Sequence, residues 1–171
     1  ADLDAMAYLD KPLPIAAKQT ISQPFTVAMQ THLLGLKKFD KVLEIGTGCA
    51  YQTAVLVEMG YRVYSIERHK PLYIVAQQNL ARLDYHSPLI FHGDGFAGLP
   101  KFAPFNGILV TCGAPEIPKE LLKQIAVGGR MVIPIGDVNQ KMVVVERFCD
   151  EEYKITEHGD YNFVPMLKGT E

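Results

Sequence analysis

Residues 42–51 read VLEIGTGCAY, and this stretch decides the predicted fold of the chain. An apolar run, Val42–Ile45, leads into two glycines, Gly46 and Gly48, and a helix-like stretch follows. A strand, a glycine turn and a helix in this order usually bind a nucleotide at the carboxyl end of the strand. The motif therefore raises the question of which nucleotide is bound and for what chemistry.

The chain on either side of this motif alternates between strand-like and helix-like segments. Strands are predicted at 42–45, 62–66, 89–92, 107–110 and 130–135, and helices at 52–59, 71–83 and 118–126. Near-continuous apolar strands indicate burial on both faces of a parallel sheet. Two further strand-like segments, 141–148 and 152–164, have no helix between them and indicate an antiparallel edge. The prediction is an α/β fold, a doubly wound and mostly parallel sheet of about seven strands.

The first forty residues differ in character from the rest. They contain the proline-rich segment KPLPIAAKQTISQP and then an amphipathic helix predicted from about Phe25 to Leu36. We interpret residues 1–171 as a single domain in which residues 1–40 form a loop and helix that cover the active site.

Composition excludes several classes of function. Among the 171 residues, 48% are apolar and 21% are charged, as in ordinary globular proteins, and the net charge is −2. This charge predicts no stable binding to nucleic acid. No stretch has the roughly 18 apolar residues of a membrane span, and the three cysteines are far apart, which favours a reduced, cytoplasmic location. The histidines have no ligand spacing, so no metal is expected.

The glycine loop departs from two common nucleotide motifs. The dinucleotide fingerprint needs a third glycine three residues after the second, and that position is Tyr51. A P-loop needs Gly-Lys-Ser/Thr, which is absent here. The loop is therefore predicted to bind a different ligand.

Three acidic residues stand at or near the ends of successive predicted strands: Glu44, Glu67 and Asp94. The carboxyl ends of parallel strands meet at one crevice. Acidic residues without a lysine suit S-adenosylmethionine, because its ammonium and sulfonium groups are positively charged. Its ribose hydroxyls can donate to Glu67, and its adenine amine can donate to Asp94. Glu67 lies nineteen residues after Gly48, close to the spacing of about 20 for a ribose-binding acid. The alternative is that each acid is a solvated turn residue.

The sequence resembles the protein-L-isoaspartate O-methyltransferase family. The matching motifs run in family order from about residue 8 to residue 167: LPIAAKQTISQP, VLEIGTGCAYQTAVL, VYSIER, GDGFAGLP, APFNGILVTCGAP, GGRMVIPIG and NFVPM. The glycine loop is shared by many methyltransferases, whereas QTISQP with VYSIER and the late FVP is highly specific.

The resemblance implies a cytoplasmic repair enzyme. Family members transfer a methyl group from S-adenosylmethionine to the α-carboxylate of L-isoaspartyl residues in damaged proteins, with D-aspartyl residues as weaker substrates. By resemblance, Ser22 is the active-site serine. The implied cofactor-binding residues are Thr20, Ile21, Glu44, Gly46, Thr47, Gly48, Glu67, Asp94 and Gly95, and the implied substrate-binding residues are Gln19, Ser22, Phe163 and Val164.

Several positions depart from the family pattern. Ala16 and Lys18 stand where glycines are usual, and Cys49–Ala50 stand where Ser-Gly is usual. Asn106 replaces a usual aspartate, and Cys112–Gly113 replace small apolar residues. Family chains also tend to begin some tens of residues earlier, so a leading family segment is expected to be absent.

Ser22 also has a purely local interpretation, as the N-cap of the helix that follows, with Pro24 at an early helical position. The FVP segment, residues 163–165, is most simply an edge strand ended by proline. The resemblance to the family implies that its backbone also pairs with an extended substrate peptide. Two other functions stay open: a methyltransferase for a small-molecule or RNA acceptor, and a cofactor-binding module without turnover.

Overall fold

The first regular elements of the protein precede the glycine motif in a computed structural model that describes residues 6–171. A short antiparallel hairpin contains β1 (Leu13–Pro14) and β2 (Thr20–Ile21). Helix α1 (Pro24–Leu34) follows and ends at Gly35, which adopts a left-handed φ of 57°. The start of the predicted N-terminal loop, residues 1–5, lies outside the described residues.

Seven further strands form one sheet. They are β3 (Lys41–Ile45), β4 (Arg62–Glu67), β5 (Leu89–His92), β6 (Phe105–Val110), β7 (Ile125–Ile135), β8 (Gln140–Arg147) and β9 (Tyr153–Tyr161). Their order across the sheet is β5-β4-β3-β6-β7-β8-β9. Neighbours from β5 to β7 are parallel, and β7, β8 and β9 are antiparallel. The doubly wound sheet with an antiparallel edge is therefore confirmed.

The order of the strands reverses beside β3. The chain builds β4 and β5 on one side of β3 and then returns to place β6 on the other side. Ligands of open α/β sheets bind at such a switch point, outside the carboxyl ends of the strands. This topology places the glycine loop after β3 at the crevice.

Three helices connect the parallel strands: α2 (Tyr51–Glu58), α3 (Lys70–Arg82) and α4 (Lys119–Leu122). A single 3₁₀ turn, Pro100–Phe102, precedes β6. The helix predicted at 118–126 is much shorter than expected. The reason is that Ile125 already pairs with Phe105 in the sheet, so tertiary pairing ends the helix early.

The apolar strands are buried on both faces of the sheet. Adjacent residues of a strand point to opposite faces, and Val42 and Leu43 belong to different clusters although neither is exposed to solvent. The first cluster contains Ile108 from β6, and the second contains Leu34 from α1. Burial on both faces explains why the central strands lack polar alternation, and it gives the loops at the crevice a rigid base.

Candidate functional site

Two adjoining cavities open at the carboxyl ends of β3, β4 and β6. The larger cavity encloses about 580 Å³ to its open mouth, and the smaller about 350 Å³. Five residues line both: Ile15, Thr20, Gly46, Gly48 and Thr111. The crevice is therefore one site with two compartments.

The glycine loop lies directly against the end of β6. Gly46 has a φ of 94°, and a Cβ on it would come within 2.5 Å of the Thr111 hydroxyl. That hydroxyl lies 2.7 Å from the Gly46 carbonyl, to which it donates. A side chain at this position would both strain the backbone and fill the gap between loop and strand. Gly46 thus keeps the wall between the two cavities thin.

Glu67 forms a polar wall of the larger cavity at the end of β4. Its Oε2 accepts a hydrogen bond of 2.8 Å from the Gly48 amide, and its Oε1 accepts one of 2.9 Å from the His69 amide. The residue is buried but lines the cavity. Two backbone donors fix the orientation of the carboxylate, and each oxygen retains a lone pair for a ligand hydroxyl.

Glu44 lies beneath the glycine loop and does not line either cavity. It is fully buried, and its Oε2 accepts from the hydroxyls of Thr53 and Ser65, both at 2.6 Å. The Ser65 hydroxyl in turn lies 2.6 Å from that of Thr47. The structure therefore differs from the expectation that Glu44 contacts the ligand, because its carboxylate is held between Thr53 of α2 and Ser65 of β4, outside both cavities.

Burial raises the pKa of Glu44 to about 7, although the hydrogen bonds from Ser65 and Thr53 act in the opposite direction and lower this pKa. The unfolded chain releases this proton near pH 4.5, so between pH 4.5 and 7 the folded state holds more protons than the unfolded state. The favourable contribution of Glu44 is therefore present below pH 4.5 and is lost as the pH rises to about 7.

This ionisation predicts a measurable pH effect on stability. Relative to Glu44→Gln, the wild type should lose roughly 2–3 kcal/mol of unfolding free energy between pH 4.5 and 7.5. Denaturant unfolding of both proteins across this range measures the difference. Asp137→Asn, at an exposed surface acid, is the matched control and should run parallel to the wild type. A difference in unfolding free energy between the wild type and Glu44→Gln that stays constant across this pH range would contradict the assignment.

Asp94 follows β5 and is held by the chain itself. Its Oδ1 accepts a hydrogen bond of 2.9 Å from the Phe96 amide, and its Oδ2 accepts one of 2.8 Å from the Gly169 amide. Asp94 lies outside the larger cavity, whereas Gly95 lines it. A Cβ on Gly95 would meet Ile45 Cγ2 at 2.5 Å, so this loop packs on the end of β3 only with glycine. Of the three predicted acids, Glu67 alone lines the cavity.

Ser22 lines the smaller cavity together with Thr20, Ile21 and Thr47. The N-cap of α1 is Gln23, and no side chain of that residue caps the helix. The Phe25 amide, in the first turn, instead donates to Asp10 Oδ1 at 2.9 Å. The interpretation of Ser22 as the helix cap is therefore wrong, because the helix begins one residue later than that role requires. Its half-buried hydroxyl is left at the cavity wall.

The FVP segment, residues 163–165, is paired within the chain. Gln140 Oε1 accepts from the Phe163 amide at 2.7 Å. On the other side, the Gly113 amide donates to the Val164 carbonyl at 2.8 Å. These backbone groups are already engaged and do not offer the ladder expected for a substrate peptide. Val164 and Gln19 line the larger cavity, while Phe163 lies outside both and packs against the second cluster.

Several lining residues were missed in the sequence. In the larger cavity they include Arg68, His69, Leu72 and Met166, and in the smaller one Val27, Tyr51 and Gln52. For Arg68 and His69, directly after β4, and for Tyr51 and Gln52, at the start of α2, these positions are the signal that could have identified them. Cys112 lines the larger cavity, and burial raises the pKa of its thiol to about 12, which keeps it protonated and inert.

Two negative observations concern residues 6–171. No group of three or more His, Cys, Asp or Glu side chains in this range is arranged to hold a metal ion. In the same range, every helix is too short or too polar to cross a bilayer.

Comparison with known proteins gives one consistent result. The family model of protein-L-isoaspartate(D-aspartate) O-methyltransferase (PCMT) matches residues 1–171. A protein-L-isoaspartate O-methyltransferase of Christiangramia forsetii is 51% identical over 162 residues, which are 95% of this chain and 76% of that protein. The match to this relative extends along almost the whole chain.

Solved structures agree with this result. A protein-L-isoaspartate O-methyltransferase superimposes with a TM-score of 0.86 at 28% identity, covering 94% of this chain but 54% of that one. A beta-aspartate methyltransferase from Plasmodium falciparum, in complex with S-adenosyl-L-homocysteine, gives a TM-score of 0.84 at 25% identity over 95% of this chain and 82% of its own. The chain thus spans about half of one solved relative and most of the other.

Proposed function

Because this chain belongs to the protein-L-isoaspartate(D-aspartate) O-methyltransferase family, we propose that it methylates the α-carboxylate of L-isoaspartyl residues, and less readily of D-aspartyl residues, in damaged proteins. S-adenosylmethionine is the methyl donor. We further propose that residues 1–171 act as one domain, with residues 1–40 as the N-terminal loop and helix that cover the active site.

The observation that carries this proposal is the pair of cavities with a shared wall. The larger has the fixed carboxylate of Glu67, and the smaller has the hydroxyl of Ser22. Both are lined by Ile15, Thr20, Gly46, Gly48 and Thr111. A donor in one compartment and an acceptor in the other would meet where these residues border both, and such placement of the two reacting groups side by side is what group transfer needs.

The larger cavity fits S-adenosylmethionine. Glu67 would accept from the ribose hydroxyls, the Gly46–Gly48 backbone would lie along the methionine part, and Gly95 with Leu72 would border the base. When bound, the cofactor supplies an activated methyl group on a positively charged sulfur. Glu67 places a full negative charge in this cavity, which complements a cationic ligand.

The smaller cavity suits a carboxylate acceptor because it provides no base. Hydroxyl, amide and apolar groups line it, and Asp, Glu, Lys, Arg and His are absent from its lining among residues 6–171. A carboxylate is already ionised at neutral pH, since its unperturbed pKa is about 4. The contribution of this chain is then to orient the acceptor and to exclude water.

Ser22 is assigned the orienting role in this compartment. A donor to a carboxylate stabilises the charged ground state at least as well as the less charged transition state, so it gains no rate by electrostatics alone. Its benefit is geometric, since it holds one acceptor oxygen toward the shared wall. We propose Ser22 as a positioning donor and not as a nucleophile.

The test compares two peptides that differ only in one linkage. A peptide with L-isoaspartate should accept labelled methyl groups, and its twin with normal L-aspartate should accept almost none. The normal residue places its carboxylate one carbon farther from the backbone nitrogen. Its carboxylate should therefore not reach the boundary between the two cavities, where the methyl group is transferred. Equal labelling of both would reject the repair function, and labelling of neither would indicate another acceptor or a binding module.

We also infer a cytoplasmic location. All three cysteines are unpaired, namely Cys49, Cys112 and Cys149. Free thiols are typical of reducing compartments. The proposed partners are cytoplasmic proteins that carry isoaspartate.

A further inference from the structure

Three buried acceptor oxygens in residues 6–171 have no hydrogen-bond partner: Gln30 Oε1, Glu44 Oε1 and Gln52 Oε1. Buried polar atoms without a partner are uncommon, and each one destabilises the protein. Of these three residues, Gln52 alone lines a cavity at the crevice. Its free oxygen is therefore the one that a ligand in the site could satisfy.

The orientation of the Gln52 amide is fixed by its neighbours on α1. Gln52 Nε2 donates to Thr31 Oγ1 at 2.9 Å, and Thr31 Oγ1 donates its own proton to the Val27 carbonyl at 2.8 Å. Because Thr31 has already used its single proton, it can only accept from Gln52. The amide nitrogen must therefore face Thr31, and the oxygen is the atom left over.

Gln52 and Ser22 line the same small cavity. An L-isoaspartyl residue presents a carboxylate and a backbone N–H on one carbon atom. A normal aspartyl residue has its carboxylate one carbon farther from that N–H. A site with one donor for the carboxylate and one acceptor for the N–H could therefore distinguish the two residues by the separation of these groups.

We propose that Gln52 Oε1 accepts a hydrogen bond from the backbone N–H of the isoaspartyl residue, while Ser22 orients its carboxylate. This proposal rests on the proposed function and adds a residue that determines specificity. Gln52 Oε1 has almost no surface exposed to water, and a substrate N–H reaches it after a small shift of the side chain that keeps the Nε2 bond to Thr31. The substrate N–H then removes the penalty of a buried acceptor without a donor.

The test combines a change in the protein with a change in the substrate. The substrate change is a depsipeptide in which an ester oxygen replaces the isoaspartyl N–H and the α-carboxylate is kept. Wild-type kcat/KM should fall about tenfold from the peptide to the depsipeptide, the effect of one lost hydrogen bond to a buried group. Methionine has a similar volume to glutamine, so Gln52→Met tests the lost oxygen without a cavity. In this variant kcat/KM for the peptide should fall by a similar factor, and kcat/KM for the depsipeptide should be only slightly lower than that for the peptide.

Gln78→Met is the matched control. It makes the same substitution at an exposed glutamine outside both cavities, so it should retain the wild-type ratio of peptide to depsipeptide. S-adenosylhomocysteine affinity, measured by calorimetry, should be unchanged in both variants and reports that the crevice is intact. A purely structural role of Gln52 would alter peptide and depsipeptide equally.

The outcomes separate the two proposals. If the wild type methylates the isoaspartyl peptide but Gln52→Met shows the same depsipeptide ratio as the wild type, the role of Gln52 is rejected and the proposed function stands. If the wild type methylates no isoaspartyl peptide, both proposals fall together. A peptide-to-depsipeptide ratio near one in Gln52→Met, with the wild-type ratio in Gln78→Met, supports the assignment.

Discussion

In a Glu67→Ala variant, the affinity for S-adenosylhomocysteine should fall about 100-fold, or ~3 kcal/mol. The carboxylate would accept from the ribose hydroxyls, and hydrogen bonds to a charged group contribute about 1.5–3 kcal/mol each. The same carboxylate holds the amides of Gly48 and His69, so its removal also frees the glycine loop. Isothermal calorimetry measures the loss directly.

Two further variants make this measurement specific. Glu67→Gln keeps an acceptor oxygen but loses the charge and one of the two backbone anchors, so its affinity should lie between those of the wild type and Glu67→Ala. Glu116→Ala removes the same charge from an exposed position outside both cavities and should bind as the wild type does. Wild-type affinity in Glu67→Ala would reject the ribose assignment.

Turnover on isoaspartyl peptide should fall about 100-fold in Ser22→Ala, since a misplacement of the reacting group by ~1 Å has an effect of this size. Cofactor affinity should stay at the wild-type value because Ser22 lines only the smaller cavity. Thermal stability should also stay close to wild type, because Ser22 does not cap α1. Steady-state kinetics, calorimetry and a melting curve give the three readings.

Ser22→Thr retains the hydroxyl and should recover part of the activity. Ser87→Ala, at an exposed serine outside both cavities, should behave as the wild type in all three measurements. The assignment fails if Ser22→Ala turns over isoaspartyl peptide at a near-normal rate. A loss of stability that accounts for the loss of turnover would return Ser22 to a structural role.

The central sheet could be predicted because its strands are buried on both faces and are therefore nearly continuous runs of apolar residues. Strands such as β5 (Leu89–His92) match the sequence prediction at both ends, and the others differ by a few residues. Topology then places the ends of β3, β4 and β6 together, so the glycine loop and Glu67 were found from spacing alone. Long-range pairing limited the rest: the predicted helix at 118–126 ends early because Ile125 joins the sheet.

The site was harder to predict than the sheet, because the sequence does not show in which direction a side chain points. Glu44 precedes the last residue of β3, and the sequence alone does not reveal that its carboxylate turns inward to Thr53 and Ser65. Asp94 is at the correct strand end, but its oxygens are taken by the amides of Phe96 and Gly169, the second of which is 75 residues away. Partners that are distant in the sequence and bind through the backbone leave no recognisable motif.

The pairing of residues 163–165 has a consequence for how the protein behaves at high concentration. Gln140 binds the Phe163 amide as a neighbouring strand would, and Gly113 binds the Val164 carbonyl from the other side. Backbone groups left unpaired along a strand edge recruit other chains into aggregates. By occupying these two groups with its own side chain and backbone, the protein withholds them from pairing with another chain.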